Sequence, residues 1–297
     1  MAMNTNCPTE FKSSSAHRQV HDRTGGAFTL TELLVVLATL GILTMLLMPA
    51  LANTQPGNTK AFQCLNNMRQ LGQAWMLYAE DNHDRLVING DVYRSPAINW
   101  CQGVEDWTIA KINTNTASLT LDSACLLAPY SGHRYQIYHC PADVYVSPIQ
   151  AALGWQYRVR SVSMSCALGT GTRAPQFAWA AKIQKTKLTD LRNPGPGAVW
   201  VFLDEAPDSI NDALFYNNPD ATGALTGTAN GGDWIDLPAS WHDGGGTFSF
   251  ADGHVELHKW VDASTRLTTP AAFTTGVLTS KYAPDDMAWM SAHTPLP

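Results

Sequence analysis

Little of this chain is charged, and few of the patterns that mark an enzyme occur in it. Charged residues make up 15% of the 297, and the formal net charge is -6. No basic surplus exists to attract nucleic acid or acidic lipid headgroups. HExxH, GxSxG, phosphate-loop and GxGxxG patterns are missing from any plausible context. The Gly-rich segment His242-Asp243-Gly244-Gly245-Gly246 lacks the following Lys-Ser/Thr that a phosphate cradle needs. Six cysteines stand at 7, 64, 101, 125, 140 and 166, and no pair has CxxC spacing. That argues against a zinc ribbon or a thioredoxin-like site. An enzyme is not expected.

The N-terminus carries the strongest positive signal. Residues 1–27 are polar, with Lys12, Arg18 and Arg23 against Glu10 and Asp22. Phe28 to Leu51 is then almost continuously apolar, and Leu33 to Met48 holds no charge. Its 24 residues would make a helix of about 36 Å, enough to cross a ~30 Å hydrocarbon core. A secretory signal has its small residues after the apolar run. Here Gly25-Gly26-Ala27 precede it, so cleavage there would leave the helix on the mature protein. Arg18 and Arg23 put the N-terminus in the cytoplasm and the long polar body in the periplasm. Glu32 breaks the apolar run, and an ionisable group there calls for a partner.

The segment Ala27-Phe28-Thr29-Leu30-Thr31-Glu32-Leu33-Leu34-Val35-Val36 resembles the class III signal of type IV prepilins and type II secretion pseudopilins. The resemblance implies cleavage between Ala27 and Phe28 by a prepilin peptidase, with methylation of the new N-terminus. It also implies that Glu32 pairs with a neighbouring subunit's N-terminal amine during assembly, and that Pro49 kinks the helix. Two residues depart from the family pattern: Ala27 stands where Gly is usual, and Thr31 where an aliphatic is usual. The small Ala27 still suits a protease subsite.

Beyond this, Ala61, Cys64, Leu65, Met68, Leu71, Trp75 and Tyr78 recur at three- and four-residue spacing, which predicts an amphipathic helix ending near 81–84. Asn53 to Asn58, with Pro56 and Gly57, is a candidate break before it. From about residue 85 the chain has strand-and-turn character. Residues 198–205 read as a buried strand, and 246–261 as a hairpin turning at Ala251-Asp252-Gly253. In that hairpin Phe248, Phe250, Val255 and Leu257 are expected on one core face. Residues 211–233 read as a long surface loop. The expected fold class is α+β, a long N-terminal transmembrane and amphipathic helix packed on an antiparallel-sheet head (pilin-like). The parts are a leader (1–27), a transmembrane segment (28–51), an amphipathic extension (52–84) and a periplasmic head (85–297).

His242, nine residues, then Asp252-Gly253 is similar to the signature of the prepilin-type processing-associated subfamily. Residues 64–72 (CLNNMRQLG) and 140–143 (CPAD) also resemble its recurring segments. In this motif His242, Asp252 and Gly253 are expected to act structurally. Asp204, Glu205, His242, Asp252 and His254 are the candidate metal ligands, since His and carboxylates bind zinc or manganese; no cofactor is expected beyond a structural ion such as calcium. His254, Glu256 and His258 alternate and would share one strand face. The expected function is a structural subunit of a type IV pilus or type II secretion pseudopilus. Its partners would be prepilin peptidase, other pilin-like subunits and inner-membrane lipid. The alternative is a membrane-anchored module binding a glycan or secreted cargo, with Trp100, Trp107, Trp234 and Trp241 exposed for stacking, and a metal-dependent enzyme ranks behind both. A disulfide involving Cys140 is expected in an oxidising periplasm.

Overall fold

The computed structural model describes residues 29–52, 56–93, 98–266 and 281–297. The chain divides into two compact units, 1–53 and 54–297. Its helices are α1 (Leu30–Ala52), α2 (Pro56–Asp81), α3 (Ala117–Thr120), α4 (Pro148–Ala152), α5 (Ala180–Ile183) and α6 (Pro284–Ala292). Its strands are β1 (Val162–Ser165), β2 (Trp200–Asp204), β3 (Leu214–Phe215), β4 (Asp233–Trp234), β5 (Gly245–Phe250), β6 (Val255–Lys259) and β7 (Lys281–Tyr282).

Among the described residues of the first unit, α1 is the only element. In the second, five strands form a sheet in the order β3-β1-β2-β5-β6, and β4 pairs with β7. Helix α2 packs on β2, β5 and β6. The three- and four-residue spacing works as expected, because Cys64, Met68, Leu71 and Trp75 are all buried. Gly72 lets α2 approach β5 closely, since a Cβ there would sit 3.3 Å from Ser249 Cβ.

Strand β2 is buried throughout, as its apolar run predicts. A register irregularity between Trp200 and Phe202 interrupts its alternation. Val201 and Phe202 therefore both join the core that contains Met68, Leu71 and Trp75. Trp200 and Leu203 join a second core with Phe248, Phe250, Trp260 and Met287. A bulge changes which face each later residue takes. Asp204, two residues after Phe202, thereby comes to meet a side chain of α2.

The pilin-like fold expected from the sequence is not what the chain forms. Instead of one long helix on an antiparallel sheet, α1 and α2 are separate helices in separate units. Pro56 begins α2, a position where a proline's missing N–H costs nothing. The sheet is mixed, because β1 and β3 run parallel. Among the described residues no helix is long and apolar enough to cross a membrane. Of the expected span 28–51, Phe28 and the side chains of 44–51 lie outside them.

Two further expectations need correction. Residues 212–220 are buried rather than a surface loop. The Arg160 guanidinium, itself buried, donates to Val162 O and to Asp212 O, both at 2.8 Å, and so ties this segment to β1. In the hairpin, Leu257 lies opposite Thr247 and Val255 opposite Ser249, whereas Phe248 lies opposite Glu256. Directly opposed residues share a face. Val255 and Leu257 therefore lie on the other face from Phe248 and Phe250.

Candidate metal centre

Four segments far apart in sequence converge behind the sheet. Cys64 comes from the buried stripe of α2, and Asp204 ends β2. Cys140 opens the turn Cys140-Pro141-Ala142-Asp143, closed by Asp143 N donating to Cys140 O at 2.9 Å. His242 opens the turn that leads into β5, where His242 N donates to Gly245 O at 3.2 Å. Asp243 and Gly244 hold left-handed backbone there, φ 56° and 75°. Lys259 Nζ clasps the turn by donating to His242 O at 2.6 Å and Asp243 O at 2.8 Å.

One ligand atom from each of Cys64, Cys140, Asp204 and His242 lies within 4.8 Å of the other three, and all four residues are buried. Cys64 Sγ donates to Asp204 Oδ2 at 2.8 Å, and Cys140 Sγ is 3.2 Å from His242 Nε2. Thr247 Oγ1 lies 3.0 Å from Cys64 Sγ and donates to Asp204 Oδ2. Ala142 N donates to Cys140 Sγ at 3.4 Å. Asp204 Oδ1 is buried without a hydrogen-bond partner among the described residues.

Burial raises the Cys64 thiol well above its usual range, with the neighbouring Cys140 and Asp204 adding to it. It also raises Cys140. It pushes Asp204 up to about 7, against the hydrogen bonds from Cys64 and Thr247. His242 falls to about 4 through burial, helped by Lys259 and Lys60. Without a cation, then, the pocket favours neutral groups. A thiol beside an imidazole is also the arrangement of a cysteine nucleophile. That chemistry needs a lowered thiol pKa and access for substrate, and Cys140 has neither.

Of the five expected metal ligands, only Asp204 and His242 belong to this cluster. Adjacent residues on a strand point to opposite sides, and the Glu205 carboxylate instead accepts from Ser163 Oγ at 2.5 Å and Ser209 Oγ at 2.6 Å. Asp252 Oδ1 accepts from His254 Nδ1 at 2.6 Å, in the hairpin turn. The length of β5 separates that turn from His242, roughly 20 Å at the usual strand rise. His242, Asp252 and Gly253 thus belong to opposite ends of the hairpin. His254 stacks on Phe250 at 4.2 Å and His258 on Trp289 at 3.8 Å, as aromatic packing. Cys64 and Cys140 escape a search for CxxC, although both open segments that carry the second resemblance. The expected disulfide is absent, since the five described cysteines are all free.

The remaining expected sites are at the N-terminus. Ala27 and Phe28 lie outside the described residues. Thr29 N and Thr29 Oγ1 donate to Glu32 Oε2 at 2.9 and 2.8 Å, and Glu32 N donates to Thr29 Oγ1 at 3.3 Å. This reciprocal pairing is a capping box at the start of α1. Pro49 falls within α1. Trp100, Trp107 and Trp234 are buried and Trp241 is half-buried, so these rings do not form a stacking surface. Comparison of the chain with family models, with curated proteins and with solved structures gives no match.

Proposed function

We propose that the chain is a non-enzymatic, prepilin-type structural subunit. It is cut before Phe28, held in the bacterial inner membrane by its N-terminal helix, and assembled with like subunits into a pilus or secretion pseudopilus. The observation that carries this reading is the surface of α1. Leu33, Leu34, Val35, Val36 and Leu37 are all exposed. Five consecutive residues at 100° per residue sweep the full circumference. A helix that is apolar all round needs cover on every side. Lipid supplies it before assembly, and the helices of neighbouring subunits supply it afterwards.

Glu32 fits the same reading as the one acidic group in an apolar segment. Its carboxylate lies in the first turn of α1, hydrogen-bonded to Thr29, and on this reading it receives the α-amine of the next subunit. The closed, buried cluster in the second unit supports a structural role for the body.

The test is the N-terminus of protein taken from membranes of cells with active prepilin peptidase. N-terminal sequencing and intact mass should show a chain that starts at methylated Phe28. A mass corresponding to all 297 residues would overturn the reading.

A further inference from the structure

We propose that Cys64, Cys140, Asp204 and His242 bind one Zn2+ ion in a closed tetrahedral site. The size of the cluster is right. Ligands placed 2.0–2.3 Å from zinc stand about 3.3–3.8 Å apart along the edges of a tetrahedron. The contacting pairs, 2.8 Å for Cys64–Asp204 and 3.2 Å for Cys140–His242, lie just below that range, and small outward shifts would open them to it. All four donor atoms lie within 4.8 Å of one another, so no second ion fits among them.

The donor chemistry selects the metal. Two sulfurs, one imidazole nitrogen and one carboxylate oxygen suit zinc, whereas calcium takes six to eight oxygens. Of the ions named from the sequence, calcium therefore does not fit these ligands, and zinc does. Asp204 Oδ1, buried and without a hydrogen bond, supplies an independent pointer to a missing partner. Such an atom is costly to leave bare. The outer groups are also in place. Thr247 Oγ1 orients Asp204 Oδ2, and Ala142 N donates to the Cys140 sulfur. Support of this kind holds ligands in position around a metal.

Four protein ligands leave no open coordination position, and that is the mark of a structural rather than a catalytic site. Coordination would displace the two thiol protons, and the Asp204 proton where that carboxyl is protonated, to solvent and replace them with the ion. It would tie α2, the Cys140 turn, β2 and the His242 turn at one point. These four segments otherwise meet through side-chain packing and a few hydrogen bonds.

The experiment uses the full chain, purified reduced in detergent, stripped with chelator and titrated with Co2+ and then Zn2+. One equivalent of Co2+ should give intense visible bands of tetrahedral cobalt together with a thiolate charge-transfer band. One equivalent of Zn2+ should abolish both, and metal analysis should then find one zinc per chain. Absence of the cobalt bands in the unmodified chain overturns the proposal without reliance on any variant. So does a Cys64–Cys140 disulfide in chain purified without added reductant, or stoichiometric zinc retained by a folded Cys64→Ser/Cys140→Ser double variant.

Discussion

His242 Nε2 lies 3.2 Å from Cys140 Sγ, joining two turns that are 102 residues apart in the chain. Both side chains are buried, so neither can exchange this contact for water. His242→Ala should therefore lower stability by about 1–3 kcal/mol, the usual loss when a buried hydrogen-bonding group is left unpaired. Lys259→Ala should cost less, because Lys259 clasps the same turn from a half-exposed position. Thermal unfolding of the full chain, with both variants side by side, checks the order.

The hairpin turn makes a different demand on the backbone. Gly253 has φ 90°, and a Cβ there would lie 3.1 Å from Met76 Sδ on α2. Gly253→Val should destabilise by roughly 1–3 kcal/mol from strain alone, with packing against Met76 adding to it. Gly195 is the control, since its φ of -66° suits any residue and a Cβ there meets nothing within 4 Å. Gly195→Ala should fall within about 0.5 kcal/mol of the parent. Equal losses in the two variants, measured by denaturant unfolding, would remove the conformational argument.

Glu105 predicts a pH dependence. Burial raises its carboxyl from 4.5 to about 7, against the pull of Arg160 and Arg158. A folded-state pKa above the unfolded one means that the native chain holds the proton more tightly. This contribution is full below about pH 4.5 and is lost as pH rises through about 7. Over that window the loss is of order 3 kcal/mol. Glu105→Gln cannot titrate, so the parent should lose stability relative to the variant between pH 5 and pH 8. Parallel unfolding curves at both pH values would show that Glu105 is not the group responsible.

Glu32 has two separable roles. Its carboxylate caps α1 through Thr29, and the proposed function has it meet a neighbouring subunit's amine. Glu32→Ala and Thr29→Ala should each weaken the cap, the loss of the N-cap Thr29 by about 0.5–2 kcal/mol. Only Glu32→Ala should reduce incorporation into sheared filaments, because Thr29→Ala keeps the carboxylate. Cleavage before Phe28 should survive in both. If the two variants assemble equally poorly, the effect is that of the cap, and the intersubunit pairing fails.

Much of the body could be read from local pattern. The buried run at 198–205, the hairpin at 246–261 and the stripe of α2 are all signalled by residues close together in sequence. Period and turn chemistry act over just such short distances. The apolar, nearly uncharged character of 30–43 is likewise a property of the sequence alone. What tertiary structure decided depends on long-range geometry. The bulge in β2 set the faces of Val201 and Phe202, and the cross-strand register put Val255 and Leu257 opposite Ser249 and Thr247. The sequence offered a candidate break at Asn53 to Asn58, but only packing showed that α1 and α2 fall in separate units. Cys64 and Asp204 are 140 residues apart, and Cys140 and His242 are 102 apart. No periodicity relates positions at such separations. They meet because α2 packs across β2 and β5 while two turns close over the same point, which is an outcome of the whole fold rather than of any segment.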